Sequence, residues 1–372
     1  MIDVSWLGSW TTHMSNFSSG LVNAGGGANT KNINLASVPA SFFTGGNQPN
    51  IAENALLNQK VANPFYLANF SGLQGSNPAA YTLMSHSGTF TNATTNLSNL
   101  VRPYGYLGGL SEVDPIGQSH FQELQITAVK RLSHGVLFTV SFQKNYQYDR
   151  DYFANSFDTA MSWEPSNTSL PSRLTAEGLY ELPFGHNKKW ANSGWKSAAF
   201  GGFRVNATYE LNNGQLLEWG NLFYQGAIRA SDIVLKHPVY NTDIATGVAN
   251  VQWLNPANVA TAAVNTDGSC SYSGNGFVTN ASCQPNGYNL RAFPTRVNGV
   301  RQQAINNVMA NIQREIALKE GVALELRLDV ANLFNHQFLG TPNETVTSSQ
   351  FGQITATQDN ARFITIQGHI RF

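Results

Sequence analysis

The stretch Asn360 to Phe372, NARFITIQGHIRF, decides how this chain is read. Ile364, Ile366, Gly368, Ile370 and Phe372 fall on one face of an extended strand, and Thr365, Gln367, His369 and Arg371 fall on the other. A period of two marks a strand, because successive side chains point to opposite faces. One face is wholly apolar. The pattern fits a strand between lipid and a wet lumen, or the terminal strand of a soluble sandwich.

Repetition separates these readings. Between Gly321 and Asn335, Val322, Leu324, Leu326, Leu328 and Val330 oppose Ala323, Glu325, Arg327 and Asp329. Unpaired ions in a dry core would each cost several kcal/mol, so the charged face must meet water. The same alternation runs from Gly202 to Leu211, where Phe203, Val205, Ala207 and Tyr209 oppose Arg204, Asn206, Thr208 and Glu210. It recurs in Ser172 to Phe184, in Val136 to Gln143 and in Leu124 to Ala128. Each stretch is near the roughly 9–11 residues that cross a bilayer at a tilt.

The connections are asymmetric. Lys130 to Gly135 (KRLSHG) and Ile316 to Gly321 (IALKEG) read as tight polar turns ending in glycine, and Phe184 to Gly194 as a slightly longer one. At the other ends lie a very long connection after the first strand, then Gln147 to Pro171, Asn212 to Arg301 and His336 to Asp359. Short turns on one rim and long loops on the other predict an antiparallel transmembrane β-barrel with periplasmic turns and extracellular loops. Counting Ile2–Trp6, Phe121–Val129, Val136–Tyr146, Arg173–Leu182, Phe203–Leu211, Val308–Leu318, Val322–Val330 and Phe363–Phe372 gives eight crossings. A further hairpin within Asn212 to Arg301 would raise the expected total to about ten, still a partial barrel beside the larger plugged ones.

Composition agrees. Charged residues make up 12% of the chain, well below a soluble domain's usual share, and aromatics 11%. Lysine plus arginine equals aspartate plus glutamate at 22 each, so no basic field exists to recruit nucleic acid. Met1 to Trp10 (MIDVSWLGSW) already reads as a strand, with no basic and apolar leader before it. The expectation is that residues 1–372 are the C-terminal part of one barrel domain, beginning partway through a larger product.

Several segments carry a family resemblance: Val101-Arg102-Pro103-Tyr104, Gln122 to Gly135 (QELQITAVKRLSHG), Tyr180 to Gly185 (YELPFG), Trp219-Gly220-Asn221, Ile305-Asn306-Asn307, Asn332 to His336 (NLFNH), Phe351 to Thr355 (FGQIT) and the terminal Phe372. In this order and spacing the chain resembles the C-terminal barrel portion of TonB-dependent outer-membrane receptors. The likeness is to the large Oar-like receptors that carry a carboxypeptidase-regulatory-like domain. Val308 stands where that family usually has an aromatic residue, and no plug domain, TonB-contacting box or signal peptide is present in the sequence. The resemblance implies placement in the outer membrane of a Gram-negative bacterium. It also implies partners: outer-membrane lipid, the plug and N-terminal strands of a parent receptor, the TonB complex through that parent, and a role for Phe372 in barrel assembly.

Catalytic and metal signatures are weak. The histidines His13, His86, His120, His134, His186, His237, His336 and His369 show no metal-ligand spacing. Gly25-Gly26-Gly27 lacks the Lys-Ser/Thr of a phosphate loop, and no Gly-x-Ser-x-Gly elbow occurs. Asp149 and Asp151 could pair as acid and base, but their strand-end setting favours a rim or ion-pair role. Neither a cofactor nor enzymatic activity is expected.

Cys270 and Cys283 are the only cysteines, both within Asp267 to Gly287. In an oxidising exterior they are expected to form a disulfide worth about 3 kcal/mol in the chain-entropy model. That stapled loop is the first candidate for ligand contact. Tyr180, Phe184, Trp190 and Trp195 at one rim, and Tyr146, Tyr148, Tyr152, Phe153 and Trp163 at the other, read as interfacial girdles. Tyr148, Tyr152 and Trp163 could instead stack on a sugar. Arg204, Glu210, Glu325, Arg327 and Asp329 are the candidate lumen residues.

Two functional classes follow. One is energy-coupled uptake of a carbohydrate or other large solute through the barrel of a TonB-dependent receptor. The other is an outer-membrane structural or adhesive protein that displays Asn16 to Leu100 and Asn212 to Arg301 without transport.

Overall fold

A computed structural model describes residues 1–14, 30–32, 38–103, 111–113, 115–151, 153–155, 158–243, 248–358 and 361–372. The run Gly25 to Gly27, Tyr104 and Tyr152 lie outside these residues.

Eight long strands form one antiparallel wall: β1 (Ile2–Met14), β2 (Gly117–Ser133), β3 (Val136–Arg150), β4 (Ser172–Glu181), β5 (Phe203–Asn212), β6 (Ile305–Lys319), β7 (Val322–Ala331) and β8 (Phe363–Arg371). They pair in chain order, and the short strand Glu164–Pro165 adds to β3 as a ninth member. Each expected crossing is present. Among the described residues no pairing joins β1 to β8, so both have an unpaired outer edge. No described helix is long and apolar enough to cross a membrane, which does not bear on strands.

The register makes the two faces continuous from strand to strand. One row reads Val136, Tyr180, Val205, Ile312, Leu328 and Ile366. One residue along, the opposite face reads Glu181, Arg204, Gln313, Arg327 and Gln367. A slip of one residue in any strand would exchange the faces, so this pattern itself selects the register. Lys130, Lys144, Arg150 and Arg314 interrupt the apolar face toward its rims. Lys144 donates to Ser172 Oγ at 3.0 Å, and Arg314 reaches backbone carbonyls at the turn rim.

The turns follow from their residues. Ser133 pairs with Val136, leaving His134 (φ 54°) and Gly135 (φ 78°) as a two-residue hairpin turn of the twist that suits antiparallel strands. Lys130 Nζ caps it by donating to the Ser133 and Val136 carbonyls, both at 3.0 Å. The connection between β4 and β5 is longer than its sequence suggests and contains a helix, α1 (Gly194–Phe200).

At the other rim the long connections form a folded cap, and among the described residues the expected extra wall hairpin is absent. Within Asn212 to Arg301, the strand Val234–Asp243 pairs with Val248–Leu254, which pairs in turn with Gln353–Ile354, and neither pairs with the wall. Leu217, Trp219, Leu222, Tyr224, Ile233, Leu254, Phe277, Phe293, Val300, Val346 and Phe351 pack into one core. Trp219 stacks on Phe277 at 5.2 Å between ring centroids, and Phe351 meets Phe277 edge-on at the same distance. The most deeply buried apolar side chains therefore lie in the connections, because both faces of the wall meet lipid or water rather than protein.

Candidate functional site

The polar face of the wall carries the charges the sequence singles out. Arg204, Glu210, Glu325, Arg327 and Asp329 all lie on it, held there by alternation in β5 and β7. They form neighbouring pairs rather than one cluster. Glu210 accepts from Arg173 at 3.1 Å, Arg204 lies 3.5 Å from Glu181, and Arg327 meets Asp329 at 2.7 Å. Glu325 and Glu315 share the Arg371 guanidinium at 2.9 and 3.3 Å. Asn206 donates to Asn311 at 2.8 Å between these pairs. Each ion pair is substantially exposed, so each adds at most about 1 kcal/mol to stability. The face as a whole is hydrophilic, with both signs of charge available to a passing solute. Asn206, Thr208, Asn311, Arg327 and Asp329 line a hollow of about 260 Å³ on it.

Above that face, the cap is bound to the wall by a buried ionic junction that the sequence did not reveal. Arg296, 2% exposed, places its guanidinium 3.6 Å from Asp151 and 3.7 Å from Glu164. Thr295 hydroxyl and backbone N–H both donate to Glu164. Below them Ser119 donates to Asp149 at 2.7 Å. Burial pushes the Asp151 carboxyl above its ordinary range; Arg296 pulls it down, while Asp149 and Glu164 add to the rise. Asp149 and Asp151 thus serve the junction between wall and cap. Farther out, Glu344 is pushed up to about 7, first by burial and then by the Glu218 carboxylate.

Cys270 and Cys283 are joined in a disulfide with Cα atoms 5.8 Å apart. They are not at an exposed tip. Both are buried against Phe223, Ala260 and Val278, so the staple lies in a second apolar cluster of the cap. The Cys270 N–H donates to Gln48 Oε1 at 2.9 Å, and Asn50 Nδ2 donates to the Tyr288 carbonyl at 2.8 Å. These bonds lash the connection between β1 and β2 to the one between β5 and β6.

The sugar-stacking reading of Tyr148 and Trp163 is not supported by their placement. Tyr148 is directly opposite His120, which is opposite Trp10, on the apolar face of the wall. Trp10 contacts His120 at 5.1 Å and Trp163 at 5.8 Å between ring centroids, a girdle at the loop rim. Phe372 follows β8 and is 99% exposed.

Two of the segments that carry the family resemblance meet in space. Asn332, at φ 50°, donates from Nδ2 to the His336 carbonyl and accepts the His336 N–H, each at 2.8 Å. His336 Nδ1 lies 3.0 Å from the Asn306 carbonyl, tying the NLFNH turn to the paired asparagines of β6. Among the described residues, no group of three or more His, Cys, Asp or Glu side chains is placed to hold a metal ion.

A family model described as outer membrane beta barrel domain matches residues 3–365. Neither the curated proteins nor the solved structures yield a match. With an apolar and a polar face running in register across the wall, the chain belongs to the outer membrane β-barrel domain family, and its place is the outer membrane of a Gram-negative bacterium.

Proposed function

We propose that residues 1–372 form the C-terminal part of the barrel of a TonB-dependent receptor of the Oar-like type, taking up a large solute such as a carbohydrate by energy-coupled transport. The observation that carries this reading is the polar face, ion-paired from β4 to β8, beneath a folded cap at the loop rim. Such a face suits passage of a polar solute, and a cap with its own core suits selection before entry. The unpaired edges of β1 and β8 support a wall continued by further strands of a parent receptor, as a wide plugged barrel requires. Partners under this reading are the plug, those further strands and the TonB complex. No catalytic role is proposed.

The cap also favours a second reading, surface display or adhesion without transport, since its core does not depend on a lumen. An antibody against Asp267 to Gly287 separates the two. A native outer-membrane band much larger than 40.5 kDa that cross-links to TonB supports the receptor. A band near 40.5 kDa with no such cross-link contradicts it and favours display.

A further inference from the structure

The connection from Pro183 to Gly202, PFGHNKKWANSGWKSAAFGG, contains three lysines and a histidine but no acidic residue, in a chain whose formal charge is zero. Its fold is defined. Gly185 N–H donates to the Trp190 carbonyl and Trp190 N–H to the Pro183 carbonyl, each at 3.0 Å, and the Phe184 and Trp190 rings meet at 5.5 Å. Arg314 of β6 then fixes α1. Its guanidinium lies 5.1 Å from the centre of the Phe203 ring and donates to the carbonyls of Ala198 and Ala199, the latter at 2.8 Å.

Arg314 belongs to the apolar face, between Phe203 and Leu326 in the register. A guanidinium on a lipid face is costly unless paired, and here it meets the electronegative carbonyl end of a helix. The C-terminal end of α1 is therefore tied to the apolar face at the turn rim. Large apolar side chains are left uncovered there: Trp195 is 71% exposed, Phe200 52% and Trp190 51%. Lys188 is committed to Glu181 at 3.1 Å. Lys189 lies over the Trp190 ring at 5.3 Å, and Lys196 follows Trp195 on α1. Among the described residues neither Lys189 nor Lys196 is in an ion pair.

We propose that this segment is a seat for an anionic glycerophospholipid, with the acyl chains against Trp195, Phe200 and the adjoining apolar wall, and the headgroup phosphate held between Lys189 and Lys196. Two observations select this occupant. The aromatic patch is continuous with a face that already meets lipid, and the cations beside it have no protein carboxylate to neutralise them. The seat does not depend on whether the barrel transports.

The test uses the full chain reconstituted in phosphatidylcholine vesicles containing a minor fraction of phosphatidylglycerol, with brominated acyl chains on one lipid at a time. The emission attributable to Trp190 and Trp195 is isolated by comparison with W190F/W195F. Brominated phosphatidylglycerol should quench it several-fold more than its mole fraction predicts, and K189Q/K196Q should remove that excess while quenching by bulk lipid persists. Persistence of bulk quenching also shows that the double variant is still seated in the bilayer. Quenching in proportion to mole fraction in the unaltered protein would overturn the proposal. So would an excess that survives K189Q/K196Q.

Discussion

Replacing Leu328 with Arg should damage this protein far more than placing Arg at Thr365, although the two positions are one residue apart in the register of β7 and β8. Leu328 lies between Ile312 and Ile366 on the apolar face, with no charge in its row. An arginine near the middle of a lipid-facing strand costs about 2–4 kcal/mol, an equilibrium shift of roughly 30- to 700-fold. Leu326 is the less clean site, because Arg314 is already its cross-strand neighbour and like charges would add to the cost. Thr365 is opposite Asp329 on the polar face, so an arginine there gains a carboxylate neighbour and should change stability by less than about 1 kcal/mol. Reversible denaturation of the chain from phospholipid vesicles measures both variants. Equal losses would refute the assignment of faces, and a larger loss at Thr365 would reverse it.

Other consequences concern the cap. Removing the Arg296 guanidinium with R296M leaves Asp151 and Glu164 buried without their cation; the loss should be about 3–5 kcal/mol, seen as faster amide exchange in residues 213–301. Reducing the Cys270–Cys283 disulfide should release about 3 kcal/mol of loop restraint and speed proteolysis within the cap, leaving the protection of β6 to β8 unchanged. Glu344 has its folded pKa raised from 4.5 to about 7, so its contribution is full below pH 4.5 and is lost as pH rises through 7. Protease resistance of the cap should accordingly fall as pH rises from about 4.5 to about 7 and level off above that, and E344Q should flatten the profile.

The wall was legible because lipid on one side and water on the other impose a period of two on each strand, as in Val322 to Val330. Its neighbours could then be ordered from short turns such as His134-Gly135. The cap was not legible by the same means. Trp219, Phe277 and Phe351 are buried by irregular chain paths, and no fixed spacing signals that they meet. The ionic junction was hidden for a related reason: Glu164 and Thr295 are 131 residues apart, and only the fold of the loops brings them together. At the turn rim the girdle aromatics Trp190 and Trp195 were legible, yet a helix as short as α1 leaves no helical periodicity to read. The staple Cys270–Cys283 illustrates the limit well. Its pairing follows from there being only these cysteines, but its burial under Phe223 and Val278 depends on the surrounding strands.

The central claim is that one face of the wall meets lipid and the other meets water. Spin labels placed singly at Ile364, Thr365, Ile366 and Gln367 of the reconstituted chain test it most directly, by comparing collision with oxygen, which concentrates in lipid, and with a water-soluble nickel chelate. The account predicts oxygen access at Ile364 and Ile366 and nickel access at Thr365 and Gln367, alternating residue by residue. Access that fails to alternate, or that alternates in the opposite sense, would contradict it.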